Sequence, residues 1–293
     1  MARLINARKR HKFELVFFFV CAYGIAWVLW LPLILGKGGL GLISLQPSRR
    51  YAEIGTFGPT IAALITQRVF AGNWRAFRLW SRPRQAVIGI SIGSTLLLLA
   101  CFASAFASTQ SGFGLWNWAA LLIIPRQFLQ NLLGGPLGEE PGWRGFALPR
   151  LQKRLPPLVA SVVLGLLWAN WHLPLLLISF YTGSYWVYVP YLTFCSVIIG
   201  FGFNLSCQNT VVAIYLHGLF NLGVGVILND FMGKATMRQS PSVGVIVDVC
   251  FLFVAMLAAI STRGRLGVEA EGRRGGRDAA AAGDSKRFQA KVP

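Results

Sequence analysis

Acidic residues are scarce in this 293-residue chain, which has ten Asp and Glu against 28 Lys and Arg, and only three His. Charged residues make up 13% of it, about half the roughly 25% of a soluble domain. A chain this poor in charge lacks the polar surface to cover a soluble globule. Disorder is excluded from the other direction, because 55% of the residues are hydrophobic and disordered chains combine few large apolar residues with much charge. Cysteine is sparse too. The five, at 21, 101, 195, 207 and 250, form no CxxC pair and no Cys/His finger spacing, which leaves them as small apolar packing residues. The chain also lacks an HExxH helix, a repeat of fixed period and a soluble domain large enough to fold alone. An integral membrane protein remains.

What is present is long apolar runs. A helix crossing the hydrocarbon core needs about 20 apolar residues, and eight stretches qualify: 15–35, 54–71, 86–107, 115–134, 157–179, 185–204, 211–229 and 243–261. The second is interrupted by Gly55, Gly58 and Pro59, which membrane helices tolerate when neighbours satisfy the freed backbone groups. The sequence therefore predicts an all-α, polytopic membrane bundle of about eight transmembrane helices. Its expected parts are a basic cytoplasmic arm (1–14), N-terminal transmembrane helices (15–109), a core (110–262) and a disordered basic tail (263–293). The first apolar stretch is longer than the hydrophobic region of a signal peptide and has no small-residue cleavage pattern after it, so it reads as an uncleaved span.

The net charge of +18 invites a nucleic-acid reading, which the location of the charges removes. Five basic residues precede the first span, five follow the second, four follow the fourth and eight lie in the tail, so 22 of 28 share one side of an eight-span bundle. Five fall on the other side, and Arg126 lies inside a span. Positive charge collects on the cytoplasmic side, which puts both termini there. The chain is thus expected as a multi-pass protein, in the cytoplasmic membrane if prokaryotic. Its expected partners include anionic lipid headgroups and no nucleic acid.

Ionisable groups at membrane depth are expensive and usually functional. His172 and His217 both lie in apolar stretches, LLWANWHLP and AIYLHGLFN. At the end of the fourth span stands Gly138-Glu139-Glu140-Pro141-Gly142-Trp143-Arg144. Adjacent carboxylates repel, so at least one should have a raised pKa. Arg144 is four residues beyond Glu140 and can pair with it on a helical turn, and Pro141 suits a first turn. Glu139 points elsewhere and is left for chemistry. His217 and Asn221 share a helix face at i, i+4, as do Trp168 and His172. A His/Asn donor pair can stabilise an oxyanion. A Glu with a His can activate water as general base, or help bind a metal that does so. Gln127 and Asn131, beside Arg126, form a polar stripe that marks a cavity-lining face, with Trp168 a further lining candidate. Asp248 reads as a structural partner, and Glu14 and Glu53 as interfacial acids.

Glu139-Glu140-Pro141-Gly142-Trp143-Arg144 resembles the E-E-x-x-x-R motif of type II CAAX prenyl endopeptidases, within the CAAX protease and bacteriocin-processing (CPBP) family. Trp168 and His172 resemble its second motif, with Trp where Phe is usual, and His217 and Asn221 its third. The resemblance covers roughly 110–230, with three motifs in order on separate apolar helices. It implies a helical membrane core around a conical cavity open to the cytosolic side. In it Glu139 and His172 would activate water, His217 and Asn221 would stabilise the oxyanion, and Glu140 with Arg144 would hold the site together. The family has been described both as metalloproteases and as glutamate proteases. Two His and two Glu could ligate zinc, with Glu139, His172 and His217 the candidates; no cofactor is certain, and the reading leans to Glu-activated water.

The expected function is intramembrane endopeptidase of the CAAX-processing type, acting on membrane-associated proteins or peptides, prenylated or not. One rival is a non-catalytic immunity or scaffold protein, against which the retention of every motif residue argues. Another is a proton-coupled transporter, which would favour inverted repeats that this chain lacks. Oligomeric state is not legible.

Overall fold

The computed structural model describes residues 2–110, 118–181, 184–223 and 241–268. The tail beyond 268, the end of the seventh expected span (224–229) and the start of the fourth (115–117) lie outside the described residues.

In chain order the α-helices are α1 (Ala2–Leu35), α2 (Ala52–Gly55), α3 (Gly58–Ala71), α4 (Pro83–Gln110), α5 (Ile124–Leu133) and α6 (Pro136–Glu140). A π-helical turn over Pro141–Ala147 runs into α7 (Leu148–Gln152). Then come α8 (Pro157–Trp171), α9 (Leu173–Leu177), α10 (Tyr185–Leu205), α11 (Thr210–Leu222) and α12 (Pro241–Ser261). The described residues contain no strand, as the apolar runs predict.

Among the described residues, four helical segments are long and apolar enough to cross a membrane: Phe13–Leu35, Pro83–Ser108, Tyr185–Leu205 and Ser242–Ser261. In their described parts, the other expected spans are shorter helices. α3 has 14 residues, about 21 Å at 1.5 Å per residue. The fourth stretch divides, in its described part, into a 3-10 turn over Trp118–Ile123 and the ten-residue α5, with Pro125 near the break and Gly134-Gly135 at the end. α8 stops at His172 because Pro174 opens α9 and has no N–H to extend the ladder. An apolar run in sequence does not reveal whether one helix or two fill it.

The distribution of side chains is that of a membrane protein. Val20 and Val28 on α1, Phe102 and Phe106 on α4, and Phe253 and Ile260 on α12 are exposed, while Glu139, Glu140, Arg144, His172 and His217 are buried. Exposed apolar surface on this scale needs a nonaqueous partner, and buried charges of this kind are costly and make a candidate functional site.

Small residues bring the core helices together, as expected where lipid is no less apolar than the helix faces. A Cβ on Gly165 of α8 would lie 2.7 Å from Thr193 and 2.8 Å from Ser196 of α10, and Ser196 Oγ donates to the Ser161 carbonyl at 2.9 Å. α1 is tied to α8 through indoles: Trp27 Nε1 donates to Trp171 O at 2.9 Å and Trp171 Nε1 to Ala22 O at 3.2 Å. The α10–α11 turn places Cys207 and Gln208 at φ of 55° and 62°, left-handed values unusual for non-glycine residues. Asn209 then caps α11, its Oδ1 accepting from Val211 N at 3.0 Å and Val212 N at 3.4 Å. That cap fixes where α11 starts and therefore which face His217 presents.

One buried tie escaped the sequence reading. Arg150 of α7 donates from Nε to Glu14 Oε1 at 2.8 Å and from Nη2 to Gln67 Oε1 at 2.8 Å, and stacks 3.5 Å over Phe146. It joins α1 and α3 to the π turn. Glu14, read from sequence as an interfacial acid, is buried in this contact, whereas Glu53 is exposed. Asp248 was expected to hold a structural partner, yet its Oδ1 has no hydrogen-bond partner among the described residues.

Candidate active site

The two acids of the motif stand where α6 gives way to the π turn. Pro141 cannot donate a backbone hydrogen bond, and the ladder widens there, a form of helix that recurs at functional sites. Both Glu139 and Glu140 are buried, as is Arg144.

Glu140 faces inward. Its Oε1 accepts from Arg144 Nη1 at 2.7 Å and lies 2.8 Å from His217 Nδ1, with Glu140 and Arg144 fully shielded from solvent. The guanidinium also sits 4.5 Å over the Trp168 ring, where the π face offsets part of its lost hydration. Its Nε and Nη2, and Glu140 Oε2, have no hydrogen-bond partner among the described residues.

Glu139 faces the other way. Its Oε2 accepts from Trp168 Nε1 at 2.6 Å. Its Oε1 lies toward Gly135, where a Cβ would sit 3.2 Å from Oε1 and 3.9 Å from Asn221 Nδ2. Glu139 is outside the four long spans, and burial pushes its carboxyl above the usual range; His217, the Trp168 indole and Arg144 pull it down, while Glu140 adds to the rise.

Hydrogen-bond partners fix the histidine tautomers. His172 Nδ1 lies 3.0 Å from the Trp168 carbonyl oxygen. That oxygen only accepts, so Nδ1 carries the proton and neutral His172 keeps a lone pair on Nε2. His217 Nδ1 lies 2.8 Å from Glu140 Oε1 and is likewise the donor, to a carboxylate. His172 is held by packing: Trp171, Tyr181 and Tyr188 meet its ring edge to face at centroid distances of 4.7, 5.3 and 5.7 Å. Asn221 is half-buried on the α11 face below His217. Gln127 and Asn131 are half-buried on α5, a helix with no fully buried residue.

The candidate zinc set does not assemble. Among the described residues, no three His, Cys, Asp or Glu side chains form a group that could hold a metal. Glu139 Oε2 accepts from Trp168, His217 Nδ1 lies against Glu140 and His172 Nδ1 against the Trp168 carbonyl; the conditional reading of Glu139, His172 and His217 as zinc ligands gains no support from this arrangement, and no step below runs through a metal.

Glycines explain why the motif can be packed so tightly, a signal present in its spacing but not used above. A Cβ on Gly138 would approach the Thr56 backbone to 2.8 Å, and on Gly142 the Pro59 carbonyl oxygen to 2.4 Å. Thr60 Oγ1 also donates to Gly138 O at 2.6 Å. Because the obstacle at Gly142 is backbone, Gly142→Ala is expected to destabilise the protein by about 1–3 kcal/mol. Gly24→Ala, with nothing within 4 Å of the new methyl, is expected to leave thermal unfolding in micelles unchanged or slightly raised.

Residues 114–223 match the family model described as type II CAAX prenyl endopeptidase, Rce1-like. The chain is also similar to the CAAX prenyl protease 2 of Methanococcus maripaludis, 32% identical over 110 residues. That alignment covers 34% of this chain and 39% of the relative, so it spans well under half of either protein. Glu139, Glu140, Arg144, Trp168, His172, His217 and Asn221 all fall within the segment that is similar to the Rce1-like, type II CAAX prenyl endopeptidases.

Proposed function

We propose that the protein is an intramembrane endopeptidase that hydrolyses peptide bonds of membrane-associated proteins or peptides with a Glu-activated water. The observation that carries this reading is the pair of unlike acids. Glu140 is consumed by Arg144 and His217, while Glu139 has one oxygen held by Trp168 and the other toward Gly135 and Asn221. Glu139 Oε1 takes a proton from water as the water oxygen attacks the scissile carbonyl, assisted by the Nε2 lone pair of His172. Charge developing on the carbonyl oxygen is met by His217 and the Asn221 amide. Collapse of the tetrahedral intermediate breaks the C–N bond, and the proton taken from water goes to the leaving amine. The second water proton passes from the new carboxyl to the amine, so water and amide become carboxylate and ammonium, and Glu140 with Arg144 keeps His217 in register.

The substrate class follows the family: a membrane-associated chain, prenylated or not, with anionic lipid headgroups around the basic loops. An eight-span arrangement with both termini and the site opening on the cytoplasmic side is supported by the 22 basic residues that such a count gathers on one face.

With purified protein in nanodiscs and a prenylated CAAX peptide in ¹⁸O water, the reading expects one labelled oxygen in each new C-terminal carboxylate. His172→Ala and His217→Ala are expected to remove cleavage while the protein remains folded in the membrane. Exhaustive chelation, checked by elemental analysis, is expected to leave activity intact; loss on chelation restored by zinc would replace the Glu-activated water with a metal mechanism.

A further inference from the structure

Four members of the site converge on Trp168, a residue that is 1% exposed. Its indole N–H donates to Glu139 Oε2 at 2.6 Å. Its ring lies 4.5 Å beneath the Arg144 guanidinium and meets His217 edge to face at 4.9 Å. Its carbonyl oxygen accepts from His172 Nδ1 at 3.0 Å. The sequence offered Trp168 as a lining candidate and as the aromatic member of the second motif, with no contact to Glu139.

We propose that Trp168 is a positioning residue that orients the Glu139 carboxylate: by holding Oε2, the indole N–H leaves Oε1 as the oxygen that meets water. This rests on the hydrolase reading above. A carboxylate has two equivalent oxygens that exchange by rotation about its last bond, which is soft. A charge-assisted hydrogen bond in a buried site is strong enough to stop that exchange. The ring's contacts with Arg144 and His217 need its face and edge but not its N–H, so the distinguishing atom is Nε1. Holding the base in one orientation acts on the reacting geometry and not on substrate affinity.

The test removes that atom alone. Benzothienylalanine incorporated at position 168 keeps the bicyclic shape and the face offered to Arg144 and His217 but has no N–H. In nanodiscs, with the prenylated peptide as probe, kcat is expected to fall about ten- to a hundredfold with KM unchanged, and Trp168→Phe is expected to do the same. Independently of activity, the ¹H–¹⁵N indole resonance of Trp168, assigned by its disappearance in Trp168→Phe, is expected to shift in Glu139→Ala. Unchanged kcat in the benzothienylalanine form, or an indole resonance indifferent to Glu139→Ala, would overturn the proposal. If the wild type cleaves no peptide, the hydrolase reading fails and the catalytic half of the proposal with it, while the resonance still decides whether the indole holds Glu139.

Discussion

Glu139→Gln is expected to lower peptide-bond hydrolysis by roughly a thousandfold, within the range that a general base contributes, while the protein unfolds at the wild-type temperature. The substitution is nearly isosteric, and the amide oxygen can still accept from Trp168 Nε1, which now reaches Oε2 at 2.6 Å. What is lost is the ability to take a proton from water. The wild-type pH profile carries the same information. A general base works only when ionised, so activity falls as pH drops through its pKa. Burial holds the Glu139 carboxyl above its ordinary value, and the acid limb of kcat/KM is therefore expected above the pH of a solvated carboxylate. A limb at the ordinary carboxylate position would count against Glu139 as the base. Full activity in Glu139→Gln would remove it from the mechanism.

Arg144→Met is expected to reduce stability by about 3–5 kcal/mol, the effect of breaking a buried pair and leaving one charge alone. Arg144 and Glu140 are both inaccessible to solvent and 2.7 Å apart, and His217 would remain beside Glu140 Oε1. Replacing both charges, Glu140→Gln with Arg144→Met, is expected to recover much of the loss, since an apolar or neutral pair of similar volume is often no worse than an ion pair. Activity should not recover, because His217 would still lack a carboxylate on Nδ1. Chemical unfolding in micelles separates these outcomes. A stable single variant would mean that the pair is not structural, and a double variant as unstable as the single would mean that Arg144 acts through Trp168 instead.

Much of this arrangement was legible because membrane burial makes polar residues conspicuous. His172 and His217 stood out in apolar runs, and the i, i+4 spacing that suggested an Arg144–Glu140 contact is realised at 2.7 Å. Helix lengths were less legible, since hydropathy does not register a break. α8 ends at His172 only because Pro174 follows, and the fourth stretch divides near Pro125. Long-range contacts were not legible at all. Nothing in the spacing links Trp168 to Glu139, 29 positions apart, or Arg150 to Glu14, 136 apart. The glycines of the motif were visible, but their role depends on α3 passing within van der Waals distance, which only the packing reveals.

The most direct measurement is quantitative mass spectrometry of peptide termini in membranes from cells carrying the wild-type chain or Glu139→Ala at equal abundance. The account predicts a set of new termini from membrane-associated proteins in the wild type, absent from the Glu139→Ala cells where the uncut precursors accumulate. The same termini at the same abundance in both would contradict it.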